Sequence, residues 1–191
     1  MGLDLNKMIK EIHDNAVAHG FWEGGRNLAL TRALIHSEWS EALEEYRAGR
    51  PMFWRKCRAP LEIKSCCRYE GKCEEMEGCK FGGDYIYPKP EGIAVELLDG
   101  VIRILDLMGD QGDQYEYGDG IPDRILEYYD LPEIVDLLHA ITVNFPNPEF
   151  MCRAVARTTR WLETQGVDWE ALLLMKHEYN KSRPYLHGKK C

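Results

Sequence analysis

HSEWSEALEEYRAGR (residues 36–50) sets Glu38 and Glu41 three residues apart, followed by Glu44 and Glu45, inside an amphipathic helix. At about 100° per residue, Glu38, Glu41 and Glu45 fall in one narrow stripe. Leu34, Ile35 and Ala42 lie beside that stripe, so the acids stand at the margin of the buried face. Glu44 and Arg47 point further round, toward solvent.

Outward from this stretch, the chain reads as helices joined by turns. The helix containing it spans about Asn27 to Ala48, with Gly49 and Pro51 as stop signals. Before it, about Asp4 to His19 carries Leu5, Met8, Ile9, Ile12 and Ala16 on one side, and Gly20 ends it. After it, residues 51–90 hold four of the nine prolines and five of the seven cysteines, with little periodicity. They read as an insert.

EGIAVELLDGVIRILDLM, about Glu91 to Met108, is the most apolar helix and is expected at the centre. GDQGDQYEYGDGIP (109–122) is a loop by its Gly and Asp content. Helices over about Pro132–Val143, Pro148–Thr164 and Asp168–Arg183 follow, the last with Asp168 as a good N-cap. No β-alternating run of useful length and no internal repeat is found. The expected fold is all-α: one domain over 1–191, a helical bundle with the Cys-rich insert 51–90 inside it.

The third helix repeats the acidic arrangement of the second. Glu96, Asp99, Arg103 and Asp106 share one stripe, opposite Ile93, Leu97, Val101, Ile104 and Met108. Two solvated helix faces are the ordinary explanation of such stripes. Like charges at i,i+3, however, weaken a helix by roughly a few tenths of a kcal/mol each. Two such pairs facing one another need a cation between them, and Mg²⁺ takes hard oxygen ligands of this kind. On spacing alone both explanations stand.

The ExxE pair Glu38/Glu41 and the later ExxD pair Glu96/Asp99 resemble the MazG-like family of all-α nucleotide pyrophosphohydrolases. The words LIHSEWSEALEEYRAGR, PEGIAVELLDGVIRILDLMG and KHEYNKSRPYLHGKK carry the resemblance to both ends of the chain. It implies that Glu38, Glu41, Glu96 and Asp99 bind Mg²⁺, with Mn²⁺ as a substitute. It also implies that Lys176, Asn180 and Arg183 meet the phosphates or sugar of a nucleotide. Their i, i+4, i+7 spacing puts all three on one helix face, although an exposed basic helix end complementing the helix dipole explains the spacing equally well. The implied reaction hydrolyses a nucleoside triphosphate to the monophosphate and pyrophosphate, with one of the four carboxylates or Glu45 as general base. A homodimer or homotetramer is implied too. It is also expected because the acidic helices are apolar over more than half their circumference.

Two features depart from the family pattern. Ser37 stands where the family often has Glu, and the two acidic motifs, usually close, are separated here by the whole insert. Long insertions add little closure entropy.

Other constellations point less far. Cys57, Cys66, Cys67, Cys73 and Cys79 could hold Zn²⁺, but no CxxC pair occurs, and free thiols are the competing expectation. Asp136 and His139 form a single i,i+3 pair where a di-iron bundle needs two ExxH motifs, so His139 reads as a partly buried core histidine. Trp22, in GFWEGG, is either a packing tryptophan or a base-stacking one. No GxxxxGK[ST] loop and no Ser-His-Asp or Cys-His nucleophile is apparent.

A net charge of −8 speaks against a non-specific grip on nucleic acid. No run approaches the roughly 20 apolar residues of a membrane span, and MGLDLNKMIKEIH lacks the apolar core of a secretory signal. With an odd number of cysteines, this predicts a cytoplasmic protein. The alternatives to a pyrophosphohydrolase are a dUTPase-like relative and a non-enzymatic zinc module built on the insert.

Overall fold

Six α-helices organise the described residues, and the helix that follows Gly92 lies at the centre, as its sequence predicts, although the helix over Leu131–Thr142 is the more apolar of the two. The computed structural model describes residues 2–25, 27–56, 89–116 and 123–188. α1 spans Leu5–Ala18, α2 Leu28–Arg47, α3 Ile93–Gln111, α4 Leu131–Thr142, α5 Pro148–Thr164 and α6 Trp169–Lys181. α3 packs against α1, α2, α5 and α6, and nearly every apolar residue along it is buried. Its apolar circumference is therefore covered from within the chain. No helix among the described residues is long and apolar enough to cross a membrane.

Helix starts follow from side-chain caps. Asp4, Asn27, Asn147 and Asp168 each accept a hydrogen bond from a first-turn N–H, and Asp130 with Glu133 forms a reciprocal capping box on α4. α3 begins differently. Its N-cap is Gly92, which has no side chain to offer, so the N–H groups of Ile93 and Ala94 donate to the carbonyls of Pro51 and Met52 at 3.4 and 2.9 Å. Gly92 has φ of 115°, and a Cβ there would fall 2.7 Å from the Met52 oxygen. Only glycine fits this junction.

The junction includes a feature the sequence reading missed. Two three-residue strands, β1 (Trp54–Lys56) and β2 (Lys89–Glu91), pair antiparallel with Trp54 opposite Glu91 and Lys56 opposite Lys89. Residues 51–56 and 89–91 are thus a short stem, and α3 starts at Ile93 rather than at Glu91. Three-residue strands are too short for a period-2 pattern to register. At the other end, α6 stops at Lys181, two residues before the expected Arg183.

The α2–α3 contact fixes where the acids meet. A Cβ at Gly100 would sit 2.2 Å from the Trp39 ring, so the missing side chain is what lets that indole pack against α3. Trp39 is fully buried, and its Nε1 donates to Thr142 Oγ1 of α4 at 3.0 Å. Glu38 and Asp99 immediately precede the two contact residues, Trp39 and Gly100, with Glu41 and Glu96 within about one further turn.

Candidate metal centre

Glu38 on α2 and Glu96 on α3 are each only 5% exposed, although the sequence places both at a helix margin. Together with Glu41, which is exposed, each offers a carboxylate oxygen within 4.8 Å of the others. Among the described residues this is the group of three metal-ligating side chains that converges. Ser37 donates its hydroxyl to Glu41 Oε1 at 2.8 Å.

The fourth expected ligand, Asp99, stands close enough to raise the pKa of both Glu38 and Glu96, yet its Oδ2 is taken by Lys176 Nζ at 2.7 Å. Arg103, one turn further along α3, donates from Nε to Glu38 Oε1 at 2.5 Å. Two cations therefore hold two of the four carboxylates. Neither hydrogen bond nor ion pair ties Glu96 among the described side chains.

The electrostatics follow from that inequality. Burial, then the charge of Asp99, pushes the Glu96 carboxyl up to about 8, with Lys176 and Lys89 opposing and Glu38 adding to the rise. Burial also pushes Glu38 up, with Asp99 and Glu41 contributing against Arg103. In the absence of a cation, Glu96 relieves the crowding by keeping its proton. A structural ion-pair network would use Arg103–Glu38 and Lys176–Asp99 and has no need of Glu96 there. Carboxylate oxygens from three side chains fit a hard divalent cation that completes its shell with water or phosphate oxygen.

The remaining expected residues spread out. Glu45 accepts from the Trp54 indole at 2.8 Å, so the stem holds it apart from the converging trio. Lys176 is buried to 1% exposure instead of lying on an open basic face, because α6 packs against α3 and brings its ammonium to Asp99. Asn180 is buried next to it in the helix register, and its Oδ1 lacks a hydrogen-bond partner. Arg183 lies past the end of α6. Its carbonyl meets His19 Nε2 at 2.9 Å, and its guanidinium stands 5.9 Å from the centre of the Tyr179 ring.

Asp106 shares the stripe of Glu96 but not its site. Ten residues of helix rise separate them by about 15 Å. Its Oδ1 instead faces His13 Nδ1 at 3.0 Å and receives the Trp22 indole N–H at 2.9 Å, with the His13 and Trp22 rings edge to face. That places Trp22 in the α1–α3 packing. His139 is half-buried as expected, and its Nδ1 lies 2.7 Å from His36 Nδ1 with the rings stacked. Cys57, Cys66, Cys67, Cys73 and Cys79 lie outside the described residues.

Three residues near the centre escaped the sequence reading: Trp54, Lys89 and Glu91, all on the stem. Lys89 and Glu91 alternate in KPE as i and i+2 of a strand, which puts both on one face. Lys89 Nζ lies 2.6 Å from Glu91 Oε1, and its charge reaches both Glu96 and Asp99.

No family model, no curated protein and no solved structure matches this chain.

Proposed function

We propose that the protein is a Mg²⁺-dependent nucleoside triphosphate pyrophosphohydrolase of MazG-like type, converting NTP and water to NMP and pyrophosphate. The observation that carries this is the convergence of Glu38, Glu41 and Glu96 across the α2–α3 contact, with buried Glu96 unpaired among the described side chains. The ExxE and ExxD words supply the choice of reaction.

In this reading Glu38, Glu41 and Glu96 hold the ion, and Asp99 flanks them under the control of Lys176. Mg²⁺ bound there supplies charge neutralisation on the phosphates and activation of water. The chain's own part is to keep the carboxylates oriented. Arg103 fixes Glu38 from one side, Ser37 fixes Glu41, and Trp39 seated on Gly100 sets the distance between their helices. Glu45, tied to Trp54, stands outside this set, so the base toward water is one of the other carboxylates. The homo-oligomer belongs to the same reading and rests on the family resemblance, since α3 is already covered within the chain.

The test is pyrophosphate release by the full chain with Mg²⁺ across common and damaged NTPs, dUTP included. A confined preference for dUTP selects the dUTPase-like relative. Glu41→Gln should abolish release and also remove the rise in melting temperature caused by Mg²⁺, because only a cation bound to the native state stabilises it. Glu44→Gln is the control: Glu44 pairs with Arg47 at 2.7 Å on the exposed side of α2 and should change little. Full activity in Glu41→Gln contradicts the metal assignment, and the absence of turnover with every nucleotide contradicts the reaction.

A further inference from the structure

Among the described residues three cations border the acidic site, and two of them are already committed to its carboxylates. Arg103 donates to Glu38, and Lys176 donates to Asp99. Withdrawing either would uncover the charge of a residue in the site itself. The third cation is Lys89 of β2. Its bonding partner is Glu91, which is not one of the converging carboxylates, so Lys89 can leave it without stripping a ligand. Its side chain is also 32% exposed, against 2% for Lys176. The head of Lys89 is therefore available where that of Lys176 is not.

The backbone beneath Lys89 is held from several sides. Gly92 packs its Cα against the Met52 carbonyl, and the first N–H groups of α3 close onto Pro51 and Met52. Trp54, opposite Glu91 in the strand pair, reaches Glu45 on α2, with the Arg50 guanidinium 5.1 Å above its ring. β2 itself packs on α3 and α6, the helices that carry Asp99 and Lys176. Lys89 thus projects from a fixed platform beside the site, while its four-carbon stem leaves the ammonium free to turn.

We infer that Lys89 is a phosphate-binding residue of this site, its ammonium turning from Glu91 to an oxygen of a nucleotide's phosphate chain held over Glu38, Glu41 and Glu96. This rests on the nucleotide reading above. A chain of net charge −8 must offset the repulsion of an approaching polyanion, and a flexible ammonium does so as a point charge with rotatable donors. The ammonium stays charged in this setting: burial lowers its pKa, but the hydrogen bond and charge of Glu91, followed by Glu96 and Asp99, raise it overall.

The experiment compares Lys89→Gln, Lys89→Arg and Glu91→Gln in the full chain, with Mg²⁺ and the best NTP of the screen. Lys89→Gln should raise KM by about tenfold or more, the size of one lost charge-assisted contact, and leave kcat within about threefold. Lys89→Arg should recover most of the loss. Glu91→Gln should lower KM, because it releases the ammonium. A purely structural Lys89–Glu91 pair predicts instead that both neutralising variants lower the melting temperature alike and leave KM where it was, and that outcome overturns the inference. Calorimetric titration with a non-hydrolysable triphosphate analogue should order the Kd values in the same way. Should Lys89→Gln fail to fold, Glu91→Gln still decides: a lowered KM supports the role, and a KM unchanged or raised by that change refutes it. A parent chain that turns over no nucleotide refutes the nucleotide reading, and Lys89 with it. An active parent indifferent to Lys89→Gln refutes the inference alone.

Discussion

Glu96 offers the sharpest perturbation, because its environment acts against its charge. Its carboxyl moves from an ordinary 4.5 to about 8, by burial first and by Asp99 second. A carboxyl with a raised pKa holds its proton more tightly in the folded chain than in the unfolded one. The folded state is therefore favoured in acid, and stability falls as pH climbs through the window from 4.5 to about 8. Between about pH 5 and pH 8 the loss from this one group is on the order of 3 kcal/mol. Glu96→Gln carries no charge at any pH and removes that loss. Scanning calorimetry in chelator should show the variant gaining on the parent toward pH 8, by roughly 6–12 °C for a chain of this size. Mg²⁺ reverses the balance, since binding needs the carboxylate ionised. The parent should release about one proton per ion near pH 7, and its Mg²⁺ affinity should climb by up to about tenfold per pH unit until about pH 8. Proton release is read from titrations in buffers of different ionisation enthalpy. A parent–variant difference that stays constant with pH, or a Mg²⁺ affinity that does not change, refutes the reasoning.

Two further outcomes follow from the packing. Gly100→Ala drives a methyl group into the Trp39 ring and should cost about 3 kcal/mol or more; a melting temperature within about 2 °C of the parent would contradict the close approach. Replacing residues 57–88 by a two-residue Asn-Gly turn should preserve the helical circular dichroism, because Lys56 and Lys89 already pair across the stem. Loss of helix in that variant would mean that the stem depends on what it carries.

The helices were legible in the sequence because each buries a stripe with the 3.6-residue period, and caps such as Asp4 and Asp168 mark their starts. The stem was not legible. Its two strands lie more than thirty residues apart and bind each other through backbone groups, which leave no trace in side-chain periodicity. The acidic site was half legible. Spacing along one helix puts Glu38 beside Glu41 and Glu96 beside Asp99, but it does not report what a second helix brings to them. Lys176 looked like an open cation because the pattern of α6 alone does not show that it packs against α3. Asp106 looked like a member of the Glu96 stripe because angle around the axis was read without rise along it. Over about 15 Å, a shared stripe can serve two places, and Asp106 serves His13 and Trp22.

The charge balance around the centre constrains how it can work. Among the described residues, five carboxylates (Glu38, Glu41, Glu91, Glu96 and Asp99) face three cations (Lys89, Arg103 and Lys176), which leaves two negative charges once Glu96 is ionised. One divalent cation neutralises that excess. A second could enter only if Arg103 or Lys176 withdrew from its partner, and Lys176 is too deeply buried to do so cheaply. Neutralising the protein, however, does nothing for the charge that a triphosphate brings with it. In the proposed reading, additional positive charge at the phosphate chain comes from a cation that is not already committed, and among the described residues Lys89 is the one whose release leaves Glu38, Glu41 and Glu96 undisturbed. In the proposed nucleotide reading the stem therefore has a role of its own, since it places the cation that offsets the charge of the substrate.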